Sequence, residues 1–235
     1  MAPTEIRNPL QRIEHNTLQE QVYSHIRQGL IDGQFKPGQV LTIRYLAEQL
    51  GTSIMPVREA LQKLTVERVL DLMPTRSVRV PVLSPAEFAE ICEARMILEG
   101  SLTELAAERA TAEDIARIDK VSQEFVAAGA ARDPTLLLRK NREFHFSIYA
   151  AARHATLMAL IEPLWARSGP CTLALFEDLT EEQIKRAASS LHYKAFEAIR
   201  RRKPAAARDA IVTDILATSK RYQQHHAKPQ SSRGT

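Results

Sequence analysis

The chain has 235 residues, 44% hydrophobic and 26% charged, with 32 Lys+Arg against 28 Asp+Glu and a formal net charge of +4. That length and apolar content supply one large or two small packed domains and exclude a chain that is disordered throughout. The two cysteines, Cys92 and Cys171, stand far apart, which excludes a disulfide scaffold or a zinc ribbon and fits a reducing compartment. No run reaches 18 apolar residues, and the opening MAPTEIRNPLQRIEHN lacks the apolar core of a signal peptide. The expectation is a soluble cytoplasmic protein with no membrane partner. Residues 1–82 carry 10 Lys+Arg against 8 Asp+Glu, and the rest carries 22 against 20. Any polyanion-binding face must therefore come from placement of charge, not from its total.

In chain order, residues 1–14 read as an N-terminal arm and 15–82 as a first domain. Leu18, Val22, Ile26 and Leu30 recur every four residues, which predicts a helix over 18–31 with Thr17 as its N-cap and Gly33 just past its end. Phe35-Lys36-Pro37-Gly38 reads as a turn. A short helix over 42–50 presents Ile43, Leu46, Ala47 and Leu50 on one side and stops at Gly51. Ser53 is placed to cap a third helix running to about Glu67, with Val57, Ala60, Leu61 and Leu64 inward. VLDLMPTRSVRVPV then alternates apolar and polar residues around Pro74-Thr75-Arg76-Ser77, a small hairpin. Pro81 and Ser84-Pro85 mark a domain boundary. The remaining pattern is helical over 85–109, 111–130, 134–153, 155–178, 181–202 and 204–223, giving a helical domain over 85–223 and a tail over 224–235.

Helix, helix, tight turn, helix and hairpin make the layout of a winged helix-turn-helix. Gly51-Thr52-Ser53 lets the third helix cross the second and enter a DNA major groove. Its outer face offers Ser53, Met55, Arg58, Gln62 and Lys63. An arginine there grips guanine through two hydrogen bonds, and a helix N-terminus with a free hydroxyl meets phosphate. Arg44 on the second helix faces the backbone, and Thr75, Arg76 and Arg79 on the hairpin reach toward the minor groove. The competing reading is an ordinary solvated helix decorated with arginines.

The segment LTIRYLAEQLGTSIMPVREALQKLTVERVLDLMPTRSVRV resembles the winged-helix signature of GntR-type transcription regulators, at Arg44, Leu46, Ala47, Leu50, Gly51, Ser53 and all of PVREAL (56–61). The resemblance implies DNA contacts by Arg44 and Arg58. Two positions depart from the pattern: Ile54 stands where an arginine is usual, and Ser77 where the hairpin tip usually has glycine. An isoleucine at 54 suits a thymine methyl.

In the helical part, polar residues that interrupt apolar faces carry the information. Arg95 and Glu99 are four residues apart, as are Asn141 and His145, with Tyr149 one turn further; His192 and Asp214 lie on two later helices. Asn141, His145, His192 and Asp214 are a metal-capable set if the helices converge. The plainer reading is a hydrogen-bonded core histidine and a capping aspartate. ARMILEGSLTELAAERAT, NREFHFSIYAAARHATLMALIEPLW and HYKAFEAIRRRKPAAARDAI resemble the all-helical effector domain, called FCD, of the FadR-like branch of these regulators. Many members hold a divalent metal through an Asp, a His four residues on, and two further His about 22 residues apart. Here Asn141 replaces that Asp and Asp214 replaces the last His, leaving a set for zinc or nickel with open positions for a carboxylate ligand. The resemblance also implies that Arg95, with Glu99 and Tyr149 beside it, helps hold an organic-acid effector.

These observations predict a mainly α protein: a winged helix-turn-helix with a small β-hairpin wing, followed by an all-α bundle. The implied activity is that of a metabolite-responsive homodimer on a short palindromic DNA operator, controlled by a small organic acid. The alternatives are a metal-dependent hydrolase using the His/Asp cluster, and a helical interaction module without DNA binding. No nucleophile motif, phosphate-cradling glycine loop or dinucleotide fingerprint favours an enzyme.

Overall fold

A computed structural model describes residues 18–74, 77–131, 133–177 and 181–227, with the side chains of 130 and 181–190 left aside. Thr17, Thr75, Arg76, the arm over 1–14 and the end of the tail over 228–235 lie outside the described residues. The element order is α1 (Leu18–Ile31), β1 (Val40–Leu41), α2 (Ile43–Gln49), α3 (Ile54–Val66), β2 (Asp71–Leu72), β3 (Val78–Arg79), α4 (Pro85–Arg109), α5 (Ala112–Ala130), α6 (Pro134–Ala151), α7 (Ala155–Glu177), α8 (Glu181–Arg200) and α9 (Pro204–Ala227).

In the first domain the four-residue apolar rows of α1 and α3 pack together around Val22, Ile26, Leu30, Val57, Leu61 and Leu64, all buried. Thr42 caps α2, its hydroxyl accepting from the Tyr45 amide at 3.3 Å. Gly51, at φ +62, closes that helix in a conformation that costs a side-chain-bearing residue strain. The hairpin is one strand richer than its pattern. β3 pairs with β2 and also with β1, Val40 opposite Arg79 and Leu41 opposite Val78, so the sheet order is β1-β3-β2. Two residues are too few to show alternation, and β1 exists because β3 offers it an edge.

α4 begins with a capping box, in which the Ser84 hydroxyl accepts from the Glu87 amide and the Glu87 carboxylate accepts from the Ser84 amide, with Pro85 at the first helical position. α5 repeats the device with Thr111 and Asp114. In this domain three of the predicted C-terminal helix ends shift by two residues or more. α6 stops at Ala151 and α8 at Arg200, because Arg153 and Arg202 take the left-handed φ values +49 and +54 that close them. The Arg202 guanidinium then donates to the Ala107, Glu108 and Ala110 carbonyls at the end of α4. α9 runs on to Ala227, past the predicted start of the tail at 224, since nothing before Pro229 breaks it. No described helix is long and apolar enough to cross a membrane.

The two domains pack together through α1, whose C-terminal turn lies against α7. A Cβ built on Gly169 would stand 2.4 Å from the Leu30 carbonyl oxygen and 2.8 Å from that of Ile31, so only glycine admits the approach. Around it, Arg142 of α6 pairs with Asp32 at 2.8 Å and Glu162 of α7 with Arg27 at 2.7 Å. On the other side Tyr222 stacks on Phe88 with ring centres 4.0 Å apart, and its hydroxyl donates to the Leu83 carbonyl at 2.8 Å.

Candidate functional site

Two regions carry unspent chemistry. The first is the outer face of α3 with the adjoining wing. Arg44, Ser53, Met55, Arg58 and Gln62 are all exposed, and Arg44 and Arg58 have no ion-pair partner among the described residues. Ser53 occupies the N-cap position of α3, but its hydroxyl makes no capping bond, contrary to the expected cap. The hydroxyl and the first amides of α3 are therefore available together to an anion. Arg58 and Gln62 line a groove between α3 and the wing residues Leu72, Ser77 and Val78. Lys63 stands apart from them. Its ammonium lies 4.0 Å from the centre of the Tyr23 ring, where Tyr23 also donates to Glu67 at 2.7 Å. Five residues along a helix turn Lys63 about 140° from Arg58. Arg79 pairs loosely with Asp71 at 3.6 Å.

The second region is a cavity of about 230 Å³ inside the bundle, lined by residues of α4 to α9. Arg95, Asn141, His145, His192 and Asp214 all line it, so the predicted residues converge from four helices. The Asp214 carboxylate lies 3.4 Å from His145 Nε2 and 3.7 Å from His192 Nε2. One ligand atom from each of the three lies within 4.8 Å of the others. Asn141 sits one turn before His145 on the same cavity wall.

Glu99 and Tyr149 do not line the cavity; they stand behind it and set the state of His145. Glu99 is fully buried and accepts from Arg95 Nε at 2.6 Å, Trp165 Nε1 at 2.9 Å and the Tyr149 hydroxyl at 2.5 Å. Because Tyr149 gives its proton to Glu99, its oxygen accepts from His145 Nδ1 at 2.8 Å. That fixes the tautomer: His145 Nε2 carries a lone pair and aims it at the Asp214 carboxylate, a second acceptor. Burial lowers the His145 pKa, against the Asp214 carboxylate, which raises it, and the neighbouring His192 lowers it further. Burial alone would raise that of Asp214, yet the His192 and His145 imidazoles, when they carry a proton toward it, hold it well below the ordinary carboxylate range. Two deprotonated donors thus face each other across a gap that a cation relieves.

The spacing suits one. Two donors at bonds of about 2.1 Å in a tetrahedral shell are about 3.4 Å apart. His192 is held between Phe144, stacked at 4.4 Å, and Phe125, tilted at 4.5 Å. Its Nδ1 is buried with no hydrogen-bond partner, so the packing of the two rings orients it. The residues present therefore fit a divalent metal on His145, His192 and Asp214, with Asn141 close by and ligand positions left over.

Arg95 reaches the cavity, but burial opposes its charge and the Glu99 carboxylate more than offsets that, raising its pKa. Its guanidinium also lies 4.1 Å over the Trp165 ring. Trp165, Thr172 and Phe176 on α7 and Arg221 on α9 also line the cavity, beyond the residues that the sequence pattern marks. For Arg221 a signal was there: it follows Asp214 by seven residues, two turns on one helix face.

A winged helix docked through its first helix onto a bundle that houses its own polar cavity defines a two-domain transcription regulator. Residues 18–80 match the family model for bacterial regulatory proteins of the gntR family, and residues 90–217 match the FCD domain. The HTH-type transcriptional regulator McbR of Escherichia coli (strain K12) is 32% identical over 181 residues, covering 77% of this chain and 82% of that protein. A solved structure of E. coli McbR/YncC aligns with a TM-score of 0.83 at 29% identity, covering 90% of this chain and 100% of that one. A GntR regulator structure from Rhodococcus sp. RHA1 shares the fold, with a TM-score of 0.71 at 19% identity over 90% and 99% of the two chains. The chain belongs to the GntR family of transcription regulators, in the FadR-like branch with an FCD domain, and is not an enzyme.

Proposed function

We propose that this regulator acts in the cytoplasm as a homodimer on a short palindromic DNA operator, and that a small organic acid held in the bundle cavity sets its operator affinity. Two copies joined through their helical domains present paired α3 helices to successive major grooves. Arg58 and Met55 read base edges, Arg44 and Ser53 hold phosphates, and Thr75 and Arg76 of the wing reach the flanking groove. His145, His192 and Asp214, with Asn141, hold a zinc or nickel ion, which supplies a Lewis-acidic position for an anionic oxygen. Glu99 and Tyr149 keep His145 in its ligating tautomer, and Arg95 places a cationic edge on the cavity wall.

One observation carries the regulatory part: two of the helices that line the cavity, α6 and α7, also grip the DNA-binding domain. α6 carries His145 and also Arg142, the partner of Asp32. In α7, Gly169 lies against α1 within the same row as the cavity residues Trp165, Thr172 and Phe176. A ligand that shifts α6 or α7 moves α1 with them. It changes operator affinity only by its preference for one arrangement, typically about 1–3 kcal/mol.

The test is selection of duplexes from random DNA by the full-length protein, followed by binding titrations across salt concentrations. The reading expects a palindromic consensus and an affinity that falls steeply with salt. Salt-independent binding without a consensus, unchanged in Arg58→Ala, would refute it.

A further inference from the structure

We infer that Arg221 makes the cavity a receptor for a dicarboxylate, with one carboxylate on the cation held by His145, His192 and Asp214 and the other on the Arg221 guanidinium. The inference rests on the proposed metal site and specifies its ligand. Arg221 lines the cavity on α9, on the same helix face as Asp214 and Thr218. Among the described residues it has neither an ion-pair nor a hydrogen-bond partner. Arg95, the other arginine on the wall, is committed to Glu99 through Nε at 2.6 Å and its terminal nitrogen at 3.4 Å. Arg221 is therefore the uncommitted guanidinium there, and it suits a planar two-oxygen anion.

Charge points the same way. Glu99 neutralises Arg95, and Asp214 offsets Arg221, so the lining without a metal is close to neutral. A divalent cation on the histidine pair and Asp214 leaves two positive charges uncompensated, which a dianion satisfies and a monoanion does not. Geometry separates the two charges. Arg221 lies two turns beyond Asp214, about 10 Å along the helix axis, and helical side chains lean back toward the N-terminus. That lean brings the Arg221 side chain back along the cavity wall toward the Asp214 end. At about 230 Å³ the cavity is smaller than the usual drug-sized site, which selects a short acid.

The experiment is calorimetric titration of zinc-loaded, full-length protein with succinate and with butyrate, acids of equal carbon number that differ by one carboxylate. Zinc stoichiometry is measured first in the same samples. The wild type is expected to prefer succinate by about tenfold or more, the scale of one charge-assisted contact. Arg221→Gln should bring succinate down to the level of butyrate, while Arg221→Lys, which keeps the charge, should retain part of the preference. Metal-stripped protein should lose the preference as well. Equal affinities in the wild type, or a preference that survives in Arg221→Gln, overturns the inference while the metal site stands. A protein that binds no zinc removes the metal site and the inference with it. Melting curves confirm that each variant is folded, and the comparison in the wild type decides the matter even where one is not.

Discussion

The face of α3 and the cavity of the bundle use arginine in opposite ways. Arg44 and Arg58 are exposed and, among the described residues, unpaired, so their charges stay hydrated until an anion arrives, and losing one leaves the fold intact. Arg95 is buried against Glu99, which in turn ties down Trp165 and Tyr149 and, through Tyr149, His145. There a charge is part of the architecture, and its removal strands another in a dry interior. A residue's effect on binding and its effect on stability should therefore separate cleanly between the two regions.

The largest test of that contrast is Glu99→Ala. It leaves Arg95 unpaired and frees the His145 tautomer, so thermal or denaturant unfolding should show a loss of about 3–5 kcal/mol. Full stability in this variant would mean that the network is decorative. Arg58→Ala is its mirror image. Operator affinity measured by fluorescence anisotropy should weaken by about 1–3 kcal/mol with no change in melting temperature. Gly169→Ala probes the join between the regions, since its methyl group meets the Leu30 and Ile31 carbonyls. Overpacking of about 1–3 kcal/mol is expected, along with a loosened winged helix that limited proteolysis detects.

Acid supplies a gentler test on metal-free protein. The folded pKa of His145 lies below its ordinary 6.5, so below pH 6.5 the unfolded chain binds the proton first. Its contribution is complete above that value and is lost as pH falls. The depressed Asp214 carboxyl acts with the same sign, contributing in full above 3.8 and losing that contribution as pH falls further. Chemical denaturation should thus show stability falling as the solution is acidified from pH 7, and His145→Gln should flatten the upper part of that fall. The smallest effect belongs to Lys63→Ala, which removes a cation from the Tyr23 ring. About 0.5–1 kcal/mol of stability is expected to go, with operator affinity nearly unchanged because the ammonium points to α1.

Most of the fold is legible in the sequence because local signals agree with one another. The four-residue row over 18–31 and the Ser-Pro-x-Glu start at 84–87 place α1 and α4 to the residue. What is lost is whatever depends on a partner distant in sequence. β1 has no pattern of its own, and the Asp32–Arg142 pair joins residues 110 apart. The metal-capable side chains are visible as polar interruptions of apolar faces, and the structure brings His145, His192 and Asp214 together. Which residues stand in front is not visible. Arg95, Glu99 and Tyr149 look alike as polar helix residues, yet Glu99 proves to be a saturated hub behind the wall. Arg221 reads as an ordinary charge near a helix end until the cavity forms around it.

The proposed role of the bundle cavity as a cation site rests on His145, His192 and Asp214. Elemental analysis of untagged wild-type protein beside His192→Ala tests it most directly. About one equivalent of zinc or nickel per chain is expected in the wild type, and its loss in the variant. No metal in either protein, or the same content in both, would contradict it.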